Sequence, residues 1–336
     1  MPLKVAIIYN EPVTDSPIID FGEEEAIIGV LEEVVAVKKA LLELGHSVEK
    51  VPLRPPIESV QDVLKAIKAD VIFNLFEGFE DQPHSEPVIA RWLEEMGMPF
   101  TGNPSHVLKL TLDKAEFKKV LTGAGVAVPA SIVLTPDTVE SFCLKYPCIV
   151  KPRDEDASHG LSQENVVNNM ADLRIMVERV SERFRGSALV EEFIDGREFN
   201  ASVLGNGKLS LVEISEIIYT LPAGLPRILT FESKWFEETD YYKGTGVRCP
   251  PDIDDALRQV ITDVVLKSAN AAGCRGYARV DMRQDRDGSI KVLEVNANPD
   301  VTPELGIARQ AAARGMTYPE LIQKIVYLAL EHPDAG

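Results

Sequence analysis

The sequence predicts an α/β protein in which an open α/β domain is followed by α+β subdomains. Three observations carry this. Short apolar strands alternate with amphipathic helices up to about residue 105; beyond Pro104 the texture changes to short strands and one long helix; and from Ser187 onward strands dominate. At 336 residues the chain exceeds one ordinary core and is long enough for two or three domains.

The elements follow in order. Lys4–Tyr9 is a short apolar run and reads as a buried strand. Glu23–Leu44 places Ile27, Val30, Leu31, Val34, Val37, Leu41 and Leu44 at helical spacing, and Gly45 ends it. Ser47–Leu53 and Asp70–Leu75 read as strands around a helical stretch near Val60–Ile67, and Pro87–Met96 as a helix stopped by Gly97. Helices connecting successive strands imply a parallel sheet, so residues 1–105 are expected to form an N-terminal α/β domain. Residues 106–187 form the expected central subdomain, with helices at Asp113–Leu121 and Ala171–Phe184 and strands at Ala130–Leu134 and Cys148–Lys151. Residues 188–336 form the expected C-terminal subdomain. Its strands are Ala188–Ile194, Glu198–Leu204, Leu209–Glu216, Ala278–Arg283 and Ile290–Val295, and its helices Asp252–Ala271 and Thr317–Leu330. Asp285 to Gly288 reads as a hairpin turn between the last two strands.

Composition narrows the function classes. A formal charge of −18 argues against a nucleic-acid partner, which needs clustered Lys and Arg. The apolar runs are far shorter than the roughly 20 residues that cross a bilayer, and no basic segment followed by an apolar one opens the chain, so a cytoplasmic protein without a membrane partner is expected. Cys143, Cys148, Cys249 and Cys274 form no CxxC pair or zinc spacing and read as reduced, buried thiols.

The densest chemistry lies in 278–296. Arg279 and Asp281 alternate with Val280, and Glu294 and Asn296 alternate with Val295, so each pair shares one face of its strand. An antiparallel hairpin gathers Asp281, Glu294 and Asn296 into a hard-oxygen set suited to Mg²⁺, with Arg279 as a planar cation beside it. A polar surface hairpin would show the same alternation. Lys151 stands at a strand end and Lys114 at a helix start; two such lysines can grip nucleotide phosphates where no GxxxxGK[ST] loop exists. In 189–199, LVEEFIDGREF, a strand is interrupted by Asp195–Gly196 and resumes at Glu198. Backbone groups around Glu191, Glu192 and Ile194 can meet a base edge, and Glu198 can accept from ribose; an ordinary hairpin with acids facing solvent is the alternative.

Taken together these segments resemble the D-alanine–D-alanine ligase branch of the ATP-grasp superfamily. NLFEGFED (74–81), PFTGN (99–103), DKAEFKKVL (113–121), IVKP (149–152), EEFIDGREF (191–199) and ARVDMRQDRDGSIKVLEVNANP (278–299) occur in family order and at family spacing through nearly the whole chain. The resemblance implies an ATP-grasp fold of three domains with ATP between the central and C-terminal ones. It implies Lys114 and Lys151 at the phosphates, and Glu191, Glu192 and Ile194 at the adenine. Glu198 would meet the ribose, and Lys234 would sit on the loop over ATP. Two Mg²⁺ (or Mn²⁺) would rest on Asp281, Glu294 and Asn296, with Arg279 at the developing oxyanion. A homodimer is implied by the resemblance alone.

The amino-acid half departs from the family. The glycine-rich loop after the first strand is Tyr9–Asp15, without glycine, and Asp15 falls where the family's amine-binding acid stands. The Ser-Ser-Val-Gly loop reads Ala157–Ser158–His159–Gly160, the loop tyrosine is Trp235, and the Ser-Leu pair is Leu305–Gly306. Each buried polar partner left unpaired costs about 1–3 kcal/mol, so these exchanges point to different substrates. Ser158 and His159 are placed among the catalytic candidates, while His46, His84, His106 and His332 read as turn or surface residues. The expected activity is an ATP-dependent, ADP-forming ligation of an amino acid to an amine or second amino acid. Alternatives are a genuine D-alanine–D-alanine ligase, a non-catalytic ATP-binding protein of this fold, and phosphorylation without ligation.

Overall fold

The structure, a computed structural model, describes residues 1–11, 23–79, 82–154, 161–184, 186–230 and 232–331, with backbone alone for 23–28, 234 and 235. The first unit runs β1 (Lys4–Asn10), α1 (Glu23–Glu43), β2 (Ser47–Leu53), α2 (Ile57–Ala66), β3 (Val71–Leu75), α3 (Ser85–Glu95). Its strands pair in the order β2-β1-β3, all parallel. β3 is buried at every position because helices cover both faces, the usual condition of a parallel sheet.

α4 (Ser105–Leu112) and α5 (Lys114–Gly123) lead into β4 (Ser131–Leu134), β5 (Cys148–Pro152), β6 (Val166–Val167), α6 (Met170–Arg183) and β7 (Ala188–Glu192). These four strands form one antiparallel sheet in the order β4-β7-β5-β6. Ala188–Glu192 therefore belongs with the central strands and not with those that follow, which moves the sheet boundary to Glu192. The Asp195–Gly196 turn does not fold β7 back on its successor either. It carries the chain into another sheet, where β8 (Glu198–Gly205) pairs with β9 (Ser210–Tyr219) on one side and with residues 276–283 on the other. After α7 (Glu232–Trp235), α8 (Asp240–Lys243), β10 (Thr245–Arg248) and α9 (Asp255–Ala272), β11 (Gly276–Gln284) and β12 (Ile290–Asn296) complete the order β10-β9-β8-β11-β12. α10 (Gly306–Ala313) and α11 (Tyr318–Leu330) close the chain.

The helix ends follow from capping. Asp113 caps α5 by accepting from Glu116 N, Asp254 caps α9, and Thr317 with Glu320 forms a capping box on α11. Gly273 ends α9 at φ 77°, a left-handed position that costs glycine little.

The units are joined by buried polar groups. Asn103 donates to the carbonyls of Tyr277 (2.7 Å) and Ala297 (2.6 Å) and accepts from Arg275 N (2.8 Å), clamping the base of the β11–β12 hairpin to the end of the first unit. Gln310 on α10 accepts from Ser202 N (2.8 Å) and donates to Asn200 and Ser215, fixing the other side of that sheet. His46 is not at the surface: it is 6% exposed, accepts from Leu3 N through Nδ1 and meets Gln323 of α11 through Nε2. Cys148 and Cys274 are buried, but Cys143 is exposed. Among the described residues, no helix is long and apolar enough to cross a membrane.

Candidate functional site

The hairpin closes as the alternation requires. The turn is sealed by Gly288 N donating to Asp285 O (2.9 Å), and the register sets Asp281 opposite Glu294 and Arg279 opposite Asn296. A bulge follows between Asp281 and Met282. Arg279 grips Asp281 with two parallel hydrogen bonds, Nε and Nη2 at 2.8 Å each. Asn296 Oδ1 accepts from Asn298 N (2.8 Å), which turns the chain at the end of β12. Burial and the nearby Glu294 carboxylate raise the Asp281 pKa, with Arg279 opposing. For Arg279, burial works against the charge, but Asp281, Glu294 and Asp300 outweigh it and raise its pKa. Two carboxylates thus crowd one guanidinium. A hard dication would relieve that crowding, and two carboxylates plus an amide oxygen are the donor set Mg²⁺ accepts beside phosphate oxygens.

A second cluster faces it from the central sheet. Glu191, 1% exposed on β7, takes Lys118 Nζ on one oxygen (2.6 Å) and Lys151 Nζ on the other (2.9 Å). Burial alone would raise the Glu191 pKa; the two lysines hold it at about 2. Lys118 is pulled below the ordinary lysine range by burial, against the attraction of Glu191. The carboxylate gains more because it sees two cations, whereas Lys118 sees one close carboxylate and a competing lysine. Lys118 also donates to Leu293 O (3.1 Å) and feels Glu294, so this one side chain links the cradle to the hairpin.

Lys114 is buried at the first position of α5, held there by Asp113, which caps the helix and pairs with Arg153 (2.9 and 2.5 Å). Glu192 lies on the opposite face of β7 from Glu191, 3.6 Å from Lys291. The carbonyl of Ile194 accepts from Arg283 (2.7 Å), and Glu198 accepts from Tyr219 (2.7 Å) and from Arg283. The β7–β8 linker lies so close to β11 that a Cβ on Gly196 would meet Gln284 O at 1.7 Å, so only glycine fits there. Leu305 is 44% exposed at the N-cap of α10. Lys234 and Trp235 lie in α7, with side chains outside the described atoms; Asp15, Ala157, Ser158 and His159 lie outside the described residues.

The sequence reading missed three residues. Lys118 looks like one more solvated lysine on a helix until α5 is packed against its neighbours. Arg283 continues the Arg279–Asp281 alternation and was the accessible signal. Glu33 on α1 is buried beside Asp300, accepts from Val301 N (2.8 Å), and has its pKa raised well above normal by burial and by Asp300. A cavity of about 670 Å³ opens beside the β7–β8 linker, walled by Phe193, Asp195, Tyr219, Arg227 and the 221–226 segment.

The D-ala D-ala ligase C-terminus family model matches residues 120–327. The D-alanine–D-alanine ligase of Gluconobacter oxydans is 30% identical over 332 residues, 98% of this chain and 99% of that protein. VanG D-Ala:D-Ser ligase from Enterococcus faecalis superposes with a TM-score of 0.74 at 20% identity, over 98% of this chain and all of that one. D-alanine–D-alanine ligase from Bacillus anthracis, complexed with ATP, gives 0.72 at 21% over 98% and 97%. With a family model over most of its length and a full-length relative at 30% identity, the chain belongs to the D-alanine–D-alanine ligase family, ADP-forming C–N ligases with the ATP-grasp fold.

Proposed function

We propose that this ligase activates an amino-acid carboxylate with ATP as an acyl phosphate and joins it to an amine or second amino acid other than D-alanine. The observation that carries the chemistry is the pairing of a lysine cradle with an acid hairpin through Lys118. Lys151 and Lys114 are the cations that hold nucleotide phosphates, Glu191 keeps Lys151 aimed, and the β7–β8 linker with Glu198 meets the nucleoside. Asp281, Glu294 and Asn296 are the oxygen donors for Mg²⁺, which when bound supplies charge neutralisation at the phosphates. Arg279, fixed by Asp281, offers donors to the oxyanion that develops as the amine attacks; preorganised donors of this kind act where charge appears. Lys234 closes over the nucleotide, and Ser158 and His159 are the further catalytic candidates.

Substrate choice rests on Asp15, Ala157, Trp235 and Leu305. Leu305, exposed where α10 begins, offers no hydroxyl to a second substrate's carboxylate. A genuine D-alanine–D-alanine ligase is the second reading, favoured by the full-length relative from Gluconobacter oxydans. Mg²⁺-dependent ADP release over a panel of amino acids and amines, with mass spectrometry of products, separates them. Condensed product from a pair other than D-alanine supports the proposal; robust turnover of D-alanine alone overturns the altered specificity.

A further inference from the structure

Arg283 is a heavily engaged side chain that the ligase chemistry has not used. It is 4% exposed on β11, two residues beyond Asp281 on the same face of the strand. Its Nη1 donates to the carbonyl of Ile194 (2.7 Å), in the linker between the two sheets. Its Nη2 donates to Glu198 Oε2 on β8 and to the carbonyl of Arg227, in the segment that leads to α7. Phe193 and Tyr219 flank the guanidinium, their ring centroids 5.4 and 5.9 Å away. One planar fork therefore ties together the base-facing linker, the strand bearing Glu198 and the start of the covering segment. The linker, the end of β9 and the covering segment wall the 670 Å³ cavity through Phe193, Tyr219 and Arg227.

The hydrogen bonds on Glu198 are one-sided. Tyr219 Oη (2.7 Å) and Arg283 both donate to Oε2, and among the described residues Oε1 accepts from no side chain. A carboxylate anchored through one oxygen presents the other at a fixed place, and a vicinal diol is the ligand chemistry that donates to such an acceptor. Anchoring by a cation also offsets the charge that would otherwise repel a polyphosphate.

We propose that Arg283 is a positioning residue that holds Glu198 as the acceptor for ribose hydroxyls, so that it sets the preference for ribonucleotides over 2′-deoxyribonucleotides. This rests on the nucleotide reading of the site. Arg283 does not touch the reacting atoms, so its removal acts on nucleotide binding and leaves the chemical step in place.

The test compares ATP with 2′-deoxy-ATP in wild type, Arg283→Met and Arg283→Lys, with calorimetric MgATP binding and unfolding curves for each. Arg283→Met leaves Glu198 buried without its cation and is at risk of misfolding; Arg283→Lys keeps the charge but has no planar fork. A charge-assisted hydrogen bond is worth about a ten- to hundredfold change in affinity. Wild type should therefore prefer ATP over 2′-deoxy-ATP by about tenfold or more in kcat/KM. Folded Arg283→Lys should raise KM for ATP about tenfold with kcat within about twofold, and bring the two nucleotides to within about threefold. A folded Arg283→Lys with wild-type KM and wild-type discrimination overturns the inference alone, as does a fall in kcat at constant KM. Failure of wild type to bind MgATP overturns the nucleotide reading itself.

Discussion

The lysine cradle and the acid hairpin are opposite solutions to burying charge. Around Glu191 one carboxylate meets two ammonium groups, so cation is in excess. Around Arg279 one guanidinium meets Asp281 and Glu294, so carboxylate is in excess. Each cluster crowds like charges where water is scarce, and crowding of that kind is costly. Paired lysines suit an anion and paired carboxylates a cation, which is what a nucleotide polyphosphate with its metal offers. Lys118 ties the two halves together, so that what enters one is felt in the other.

The comparison breaks most sharply at Glu294. Replacing it with Gln removes one of the hairpin's two carboxylates while leaving shape unchanged, and kcat should fall by about 100-fold or more, as loss of a preorganised electrostatic group does. Near-wild-type steady-state rates in a folded E294Q protein would rule out the hairpin as the metal site.

Next is Glu191→Gln, which removes the carboxylate that pairs with both Lys118 and Lys151 and leaves the two ammonium groups close together. Removing one partner of a buried pair costs about 3–5 kcal/mol, read as a lower midpoint in urea. The pH dependence gives the sign. Glu191 is depressed to about 2 in the folded state, from an ordinary 4.5. Its stabilisation is therefore present above pH 4.5 and lost as pH falls toward 2. The stability gap between wild type and E191Q should shrink across that window; a constant gap would mean that the carboxylate is not held by the lysines.

Asp113→Ala should have the smallest effect. It loses the N-cap of α5 and the partner of Arg153, about 1 kcal/mol of stability, and loosens Lys114. A KM for ATP raised by a few-fold with unchanged kcat is expected; no change would place Lys114 away from the phosphates.

Legibility in the sequence followed how locally each feature is determined. The hairpin was readable because period-2 alternation and a turn between its strands fix the facing residues without help from the rest of the chain. The cradle was half readable. Lys151 announces itself at a strand end, but which way Lys118 faces depends on how α5 packs, a tertiary choice. The Asp195–Gly196 turn signal was misleading for the same reason. Alone it spells a hairpin; the close approach of Gly196 to Gln284 and the Arg283 clamp route it into a different sheet. α4 went unread because its N-cap is Pro104, which brings no side-chain cap, although Val107, Leu108, Thr111 and Leu112 have helical spacing. His46 sits in an ordinary turn sequence and is buried only because α11 returns across it.

Together the two clusters are suited to accept a polyphosphate and its metal. Calorimetric titration of ATP into the wild-type protein, with Mg²⁺ and again with EDTA, tests it directly. Affinity should be about tenfold or more weaker without metal, a difference of about 1.4 kcal/mol, and the same two titrations should nearly coincide for Glu294→Gln. Equal affinities in the wild-type protein would contradict it.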